Sequence, residues 1–188
     1  MLELNDVLLR GEHSTLSMMA HEGQVTCITR VGAPLGATPV GWLHAMMGFV
    51  PVVAGYISID GEPLTVRSAA VMRRLMAFVP VALEQDGEVE VYEPPSVQDV
   101  FALKANRQFS ISNGLLSEEM KRTGTTGMKA QLLAVGVLLQ RHILLVDRPA
   151  ASSMPYLKRQ AEMGRIVVVT SNDSLVVSQA DCLVEIKE

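Results

Sequence analysis

The chain is 188 residues long, 48% apolar and 19% charged, with a formal charge of −4. That is enough apolar material for one domain with a full core. It lacks the basic excess of a nucleic-acid surface, so no nucleic-acid partner is expected. The two cysteines, Cys27 and Cys182, sit inside apolar runs. They read as small buried hydrophobes of a reducing compartment, and no Cys/His spacing suits zinc. No basic segment followed by an apolar stretch opens the chain, and no apolar run is long enough for a bilayer. A cytoplasmic protein is the expectation.

In chain order, residues 24–29 (QVTCIT) are short, apolar and β-branched, as a buried strand requires. A loop with Gly32, Pro34, Gly36 and Pro39 follows, then an apolar helical stretch over 40–49. Residues 55–61 (GYISIDG) alternate and end in Asp-Gly, the pattern of a half-exposed hairpin strand. Residues 76–80 form another short apolar strand. The segment 82–127 is polar and irregular, with Pro94-Pro95, an acidic run over 84–90 that suits a solvated face, and a helical patch at 97–105. Residues 129–139 are helical and strongly apolar. Three buried strands complete the chain: 142–147 ending in Asp147, 166–170 and 182–186. Continuous apolar strands alternating with helices predict an α/β sheet covered on both faces. No linker divides the chain and no internal repeat is present, so a single domain over 1–188 is expected.

A strand, a glycine-containing loop and a helix, followed later by an apolar strand ending in Asp, is the ground plan of P-loop NTPases. Here the chain resembles the ATP-binding cassette (ABC) ATPase family almost end to end. Residues 47–64 (MGFVPVVAGYISIDGEPL) look like the family's stretch after the phosphate loop, and 73–80 (RRLMAFVP) like its run into the Q-loop. Residues 96–100 (SVQDV) are similar to the segment shortly beyond. Residues 143–149 (ILLVDRP) resemble the Walker B strand and turn, 167–173 (VVVTSND) the switch-histidine strand, and 180–184 (ADCLV) the final strand. The resemblance implies a P-loop NTPase-like α/β sheet covered by helices. It also implies a shortened helical subdomain, 82–140, and a missing helix or turn between 154 and 171. ATP and Mg2+ are the cofactors it implies.

The family's functional positions are widely altered. Aligned without gaps, the Walker A motif covers 33–41, with its lysine on Pro39 and its magnesium-binding Ser/Thr on Val40. Proline supplies neither an N–H donor nor charge, and valine cannot ligate magnesium. A slipped register brings Thr38 to the metal, but no lysine precedes Lys104, so no register supplies one. Arg30, at the strand end, is the nearest upstream cation, while Pro39 suits a helix start. The Walker B acid is Asp147, but the water-polarising glutamate is Arg148, which cannot act as a base. Asp147 either pairs with Arg148, caps a turn, or retains metal. The Q-loop glutamine falls on Val81, the switch histidine on Ser171, and the D-loop on 151–154 (ASSM). The signature motif falls on 123–127 (TGTTG), which reads as a helix start with Thr as N-cap ahead of an anion-binding loop. The vestigial nucleotide site is therefore Gly36, Thr38 and Asp147, with no catalytic residue and no metal ligand assigned. The four histidines share no ligand or triad spacing, and no G-x-S-x-G elbow supports a hydrolase.

Changes at so many positions predict a retained fold without ATPase chemistry. The expected role is a non-catalytic subunit or regulator, pairing with a competent ABC ATPase chain, a membrane subunit or a second copy. Such a chain would be cytoplasmic or held at the membrane through its partner. One alternative is an unusual nucleotide hydrolase rebuilt around Thr38, Asp147 and Arg148. Another is a small-ligand module in the vacated phosphate pocket, with Leu35, Val40, Trp42, Met46 and Met47 making it less polar. For these residues, packing of a collapsed loop onto the core is the preferred reading.

Overall fold

The computed structural model describes residues 1–33, 39–80 and 113–186. Gly36, Thr38, Leu35, Val81, the acidic run, the Pro-Pro pair, the 96–100 segment and the patch at 97–105 lie outside the described residues. Two sheets organise the rest. The first is antiparallel, in the order β2-β1-β4-β5, built from β1 (Leu2–Leu9), β2 (Leu16–Ala20), β4 (Val52–Ile59) and β5 (Glu62–Pro63). The second is parallel, in the order β6-β7-β8-β3-β9, built from β3 (Val25–Arg30), β6 (Met76–Val79), β7 (Ile143–Asp147), β8 (Ile166–Thr170) and β9 (Cys182–Ile186).

The central strands β7 and β8 are buried at every residue, which is why both read as unbroken apolar runs. Alternate side chains go to opposite faces. Ile143, Leu145, Ile166 and Val168 join the core shared with β1, β2, β4 and helix α1 (Val40–Met46). Leu144, Val146, Val167 and Val169 join a second core, under α4 (Gly127–Leu138) and α5 (Met154–Glu162). Full burial of each such aliphatic side chain contributes about 1.5–3 kcal/mol. The short helices α2 (Ala69–Met72), α3 (Asn113–Arg122) and α6 (Ser174–Val177) complete the described elements.

The strands expected from 24 onward are present, most within a residue of their expected ends; β4 begins three residues early, and β9, expected to be buried, is half-exposed because it is the edge strand of its sheet. The helix expected over 40–49 stops at Met46, where Gly48 takes φ 73°. Several elements were not expected, among them β1, β2, α3 and α5. Strand β1 alternates in burial but is broken at Asp6, where φ is 46° and the pairing registers shift. Gly55 faces this bulge, and a Cβ there would stand 2.3 Å from the Asn5 carbonyl oxygen, so only glycine fits. Strand β2 pairs alongside. Helix α3 lies inside the segment read as irregular, because its polar sequence gives little apolar periodicity. Helix α5 occupies part of the stretch read as lacking a helix or turn. It has a proline in its first turn, a permitted place, and buries Met154, Tyr156, Leu157 and Ala161.

Candidate functional site

Parallel α/β sheets bind ligands beyond the carboxyl ends of their strands. At that edge β3 ends in Arg30, β7 in Asp147 and β8 in Thr170. Strand β8 lies between β7 and β3, with Thr170 in register with Asp147 on one side and Ile28 on the other. Asp147 is 5% exposed and Thr170 fully buried. The Thr170 hydroxyl donates to Asp147 Oδ1 at 2.7 Å. This buried, charge-assisted bond fixes the carboxylate.

The chain turns sharply after Asp147. Arg148 adopts a left-handed φ of 45°, its amide donates to the Thr170 carbonyl at 2.8 Å, and its carbonyl accepts from Lys129 Nζ. Lys129 is buried in the first turn of α4. Burial pushes its ammonium pKa down to about 8, Asp147 works against that, and Arg148 adds to it. His44, on α1, is lowered from its ordinary value by burial, partly opposed by Asp147. Arg148 Nε lies 4.0 Å from Asp147 Oδ2. Beyond this turn a cleft of about 240 Å³ opens, lined by Arg148, Pro149, Ser171 and Asp173. Asp173 accepts from the Leu175 amide at 2.9 Å and so caps α6.

The residues singled out from sequence fall into place unevenly. Of the vestigial nucleotide site, Asp147 is at the sheet edge, while Gly36 and Thr38 lie outside the described residues. Pro39 sits at the N-cap position of α1 with φ −79°, and Val40 is the first helical residue, so the helix-start reading of Pro39 fits. Arg30 is committed elsewhere: its guanidinium meets Glu12 Oε1 at 2.6 Å, and its amide donates to Asn172 Oδ1 at 3.0 Å. Trp42, Met46 and Met47 are buried in the main core.

The signature-position loop is built as a support. Thr126 holds the N-cap position of α4 without a side-chain cap bond, which corrects the expectation of a capping threonine. The Thr123 hydroxyl instead donates to the Met120 carbonyl at 2.7 Å, at the end of α3. Gly124 has φ 72°, and a Cβ there would come within 2.1 Å of the Ser152 carbonyl oxygen. The Ser152 hydroxyl donates to the Gly124 carbonyl at 2.6 Å. The signature and D-loop positions are therefore in direct contact.

Sequence reasoning passed over Lys129, Thr170 and His44. Lys129 did carry a signal, as a lone cation inside an otherwise apolar helix. Thr170 and His44 acquire their roles only through strand register and helix docking.

Magnesium does not suit the described donors. Val40 offers no oxygen side chain, and Asp147 Oδ2 faces the Arg148 guanidinium, whose charge opposes a dication there. No group of three or more His, Cys, Asp or Glu side chains suited to a metal occurs among the described residues. No helix among them is long and apolar enough to cross a membrane.

The fold is that of the ABC ATPase cassettes. No protein-family model matches the sequence. The thiamine import ATP-binding protein ThiQ of Ruegeria sp. (strain TM1040) is 28% identical over 192 residues, spanning 94% of this chain and 79% of that protein. The fold is shared with the dimeric bacterial ABC transporter cassette MJ0796, at TM-score 0.66 and 18% identity over 100% of this chain and 94% of that one. It is shared too with cbiO1 of Clostridium perfringens, part of the ABC transporter complex cbiONQ. That match has TM-score 0.65 and 18% identity, over 98% of this chain and 83% of that chain. Sequence likeness and fold together support the nucleotide-binding domains of the ABC ATPases as this chain's family.

Proposed function

We propose that this chain is a non-catalytic ABC-type subunit or regulator, acting through protein contacts. The observation that carries the reading is Arg148. A guanidinium follows Asp147 where an ABC ATPase needs a carboxylate to polarise water, and it lies 4.0 Å from the Asp147 carboxylate. A cation there opposes a magnesium ion and cannot accept a proton from water. Loss of electrostatic stabilisation of a transferring phosphoryl group costs orders of magnitude in rate. The folded scaffold around this edge remains well packed, which favours a role for its surface. Related cassettes are dimeric in one case and part of a transporter complex in another. The partner we propose is accordingly a competent ABC ATPase chain, a membrane subunit or a second copy. With a membrane subunit as partner, directly or through a partner ATPase, the chain would work at the membrane without entering it; otherwise it would be cytoplasmic. The reduced helical subdomain over 82–140 is part of the same proposal.

Two assays test it. Purified chain should hydrolyse Mg-ATP no faster than the Asp147→Ala variant, and turnover above that control overturns the reading. Affinity-tagged chain should co-purify with an ABC ATPase or membrane subunit, or self-associate, and a monomer without either behaviour counts against the interface role.

A further inference from the structure

The Arg148 backbone is clamped on both sides, by Thr170 through its amide and by Lys129 through its carbonyl. It is held in a left-handed conformation that side-chain-bearing residues adopt at a cost. The side chain lines the cleft, and its Nε is buried without a hydrogen-bond partner. The 4.0 Å contact with Asp147 is beyond hydrogen-bond range.

Ser171 lines the same cleft at 2% exposure. Its oxygen accepts from the Asp173 amide at 3.1 Å, and a hydroxyl that accepts one bond still has its O–H to offer a ligand. The two nearby carboxylates are engaged within the protein. Asp147 is bonded by Thr170, whose hydroxyl donates to its Oδ1. Asp173 also lines the cleft and opposes an anion there, but its Oδ1 is taken by the Leu175 amide. The cleft is thus lined by a guanidinium-bearing side chain and a buried hydroxyl residue, a pairing suited to planar or tetrahedral oxyanions.

We propose that this cleft is a magnesium-independent oxyanion site, in which Arg148 and Ser171 grip a phosphate or carboxylate group. The proposal deepens the non-catalytic reading and rests on it, because an arginine that binds an anion takes the place of a base that activates water.

The test is titration of the full chain with inorganic phosphate, and separately with malonate, in EDTA, followed by amide NMR. Saturable shifts at Arg148, Ser171 and Asp173 are expected, with affinity on the order of millimolar. Phosphate alone, malonate alone or both would identify the anion chemistry. Arg148→Gln should weaken binding about tenfold or more, which corresponds to about 1.4 kcal/mol. Arg148→Lys, with charge but no fork, should retain part of it, and Asp147→Asn should bind at least as well as wild type. A superposable spectrum of each variant away from the cleft confirms its fold. Shifts absent from the cleft, or unchanged in Arg148→Gln, overturn the site. Mg-ATP turnover above the Asp147→Ala control would overturn the non-catalytic reading while leaving the EDTA titration intact. A flat titration without turnover would remove the anion site alone.

Discussion

Lys129 makes a pH-dependent contribution to stability whose sign follows from its burial. Its pKa falls from 10.5 in the unfolded chain to about 8 in the fold. Between those values the folded state binds fewer protons than the unfolded one, so stability rises with pH across this window. The gain is complete above about pH 10.5 and is lost as pH falls through about 8, where the ammonium is charged in both states. At roughly 1.4 kcal/mol per pKa unit, the shift corresponds to about 3 kcal/mol. For a domain of this size that is a Tm change of about 6–12 °C. Cys27, Tyr56 and Tyr156 also titrate at alkaline pH, so the informative quantity is the difference between wild type and Lys129→Met. Methionine keeps the length of the stem and removes the titrating group. Urea unfolding at a series of pH values from 7 to 10.5 should show the wild-type advantage growing with pH relative to Lys129→Met. Parallel curves for the two proteins would refute a buried, charged Lys129 beneath the Asp147 turn.

Three further outcomes follow from the same geometry. Gly124→Ala combines a left-handed φ with a Cβ 2.1 Å from the Ser152 carbonyl oxygen. It should cost about 2 kcal/mol or more in urea unfolding, and an unchanged midpoint would show that the two loops are not in contact. Tyr156→Phe removes the 2.6 Å hydroxyl bond to buried Glu119 but keeps the ring. It should destabilise by about 1–3 kcal/mol, and a neutral substitution would argue against the docking of α3 on α5. Burial pushes the Cys27 thiol up to about 11, with the Ser171 backbone opposing, so an aromatic disulfide reagent at neutral pH should spare it until the protein unfolds. Rapid labelling of Cys27 in the folded chain would contradict its place in the core.

The sheet edge was legible in the sequence wherever a local pattern survives without its partners. Strands β3, β7, β8 and β9 are short β-branched runs, and Asp147 could be placed because such a run ends there. Strand β1 was not legible, since the bulge at Asp6 breaks its alternation and the compensating residue, Gly55, lies about fifty positions away. Sequence therefore located the carboxylate but not its electrical surroundings. The turn at Asp147 is held by Lys129, a lone cation in an otherwise apolar helix, and by Thr170, from the neighbouring strand. Arg148 alone suggests a lost catalytic base. With Lys129 and Thr170 in place, the same turn becomes a carboxylate fixed by Thr170 and an arginine whose backbone is clamped and whose side chain lines a cleft. That difference bears directly on function. The edge of β7 and β8 keeps a charged, hydrogen-bonded and conformationally constrained turn, and the constraint at Arg148 has a cost that packing alone does not require.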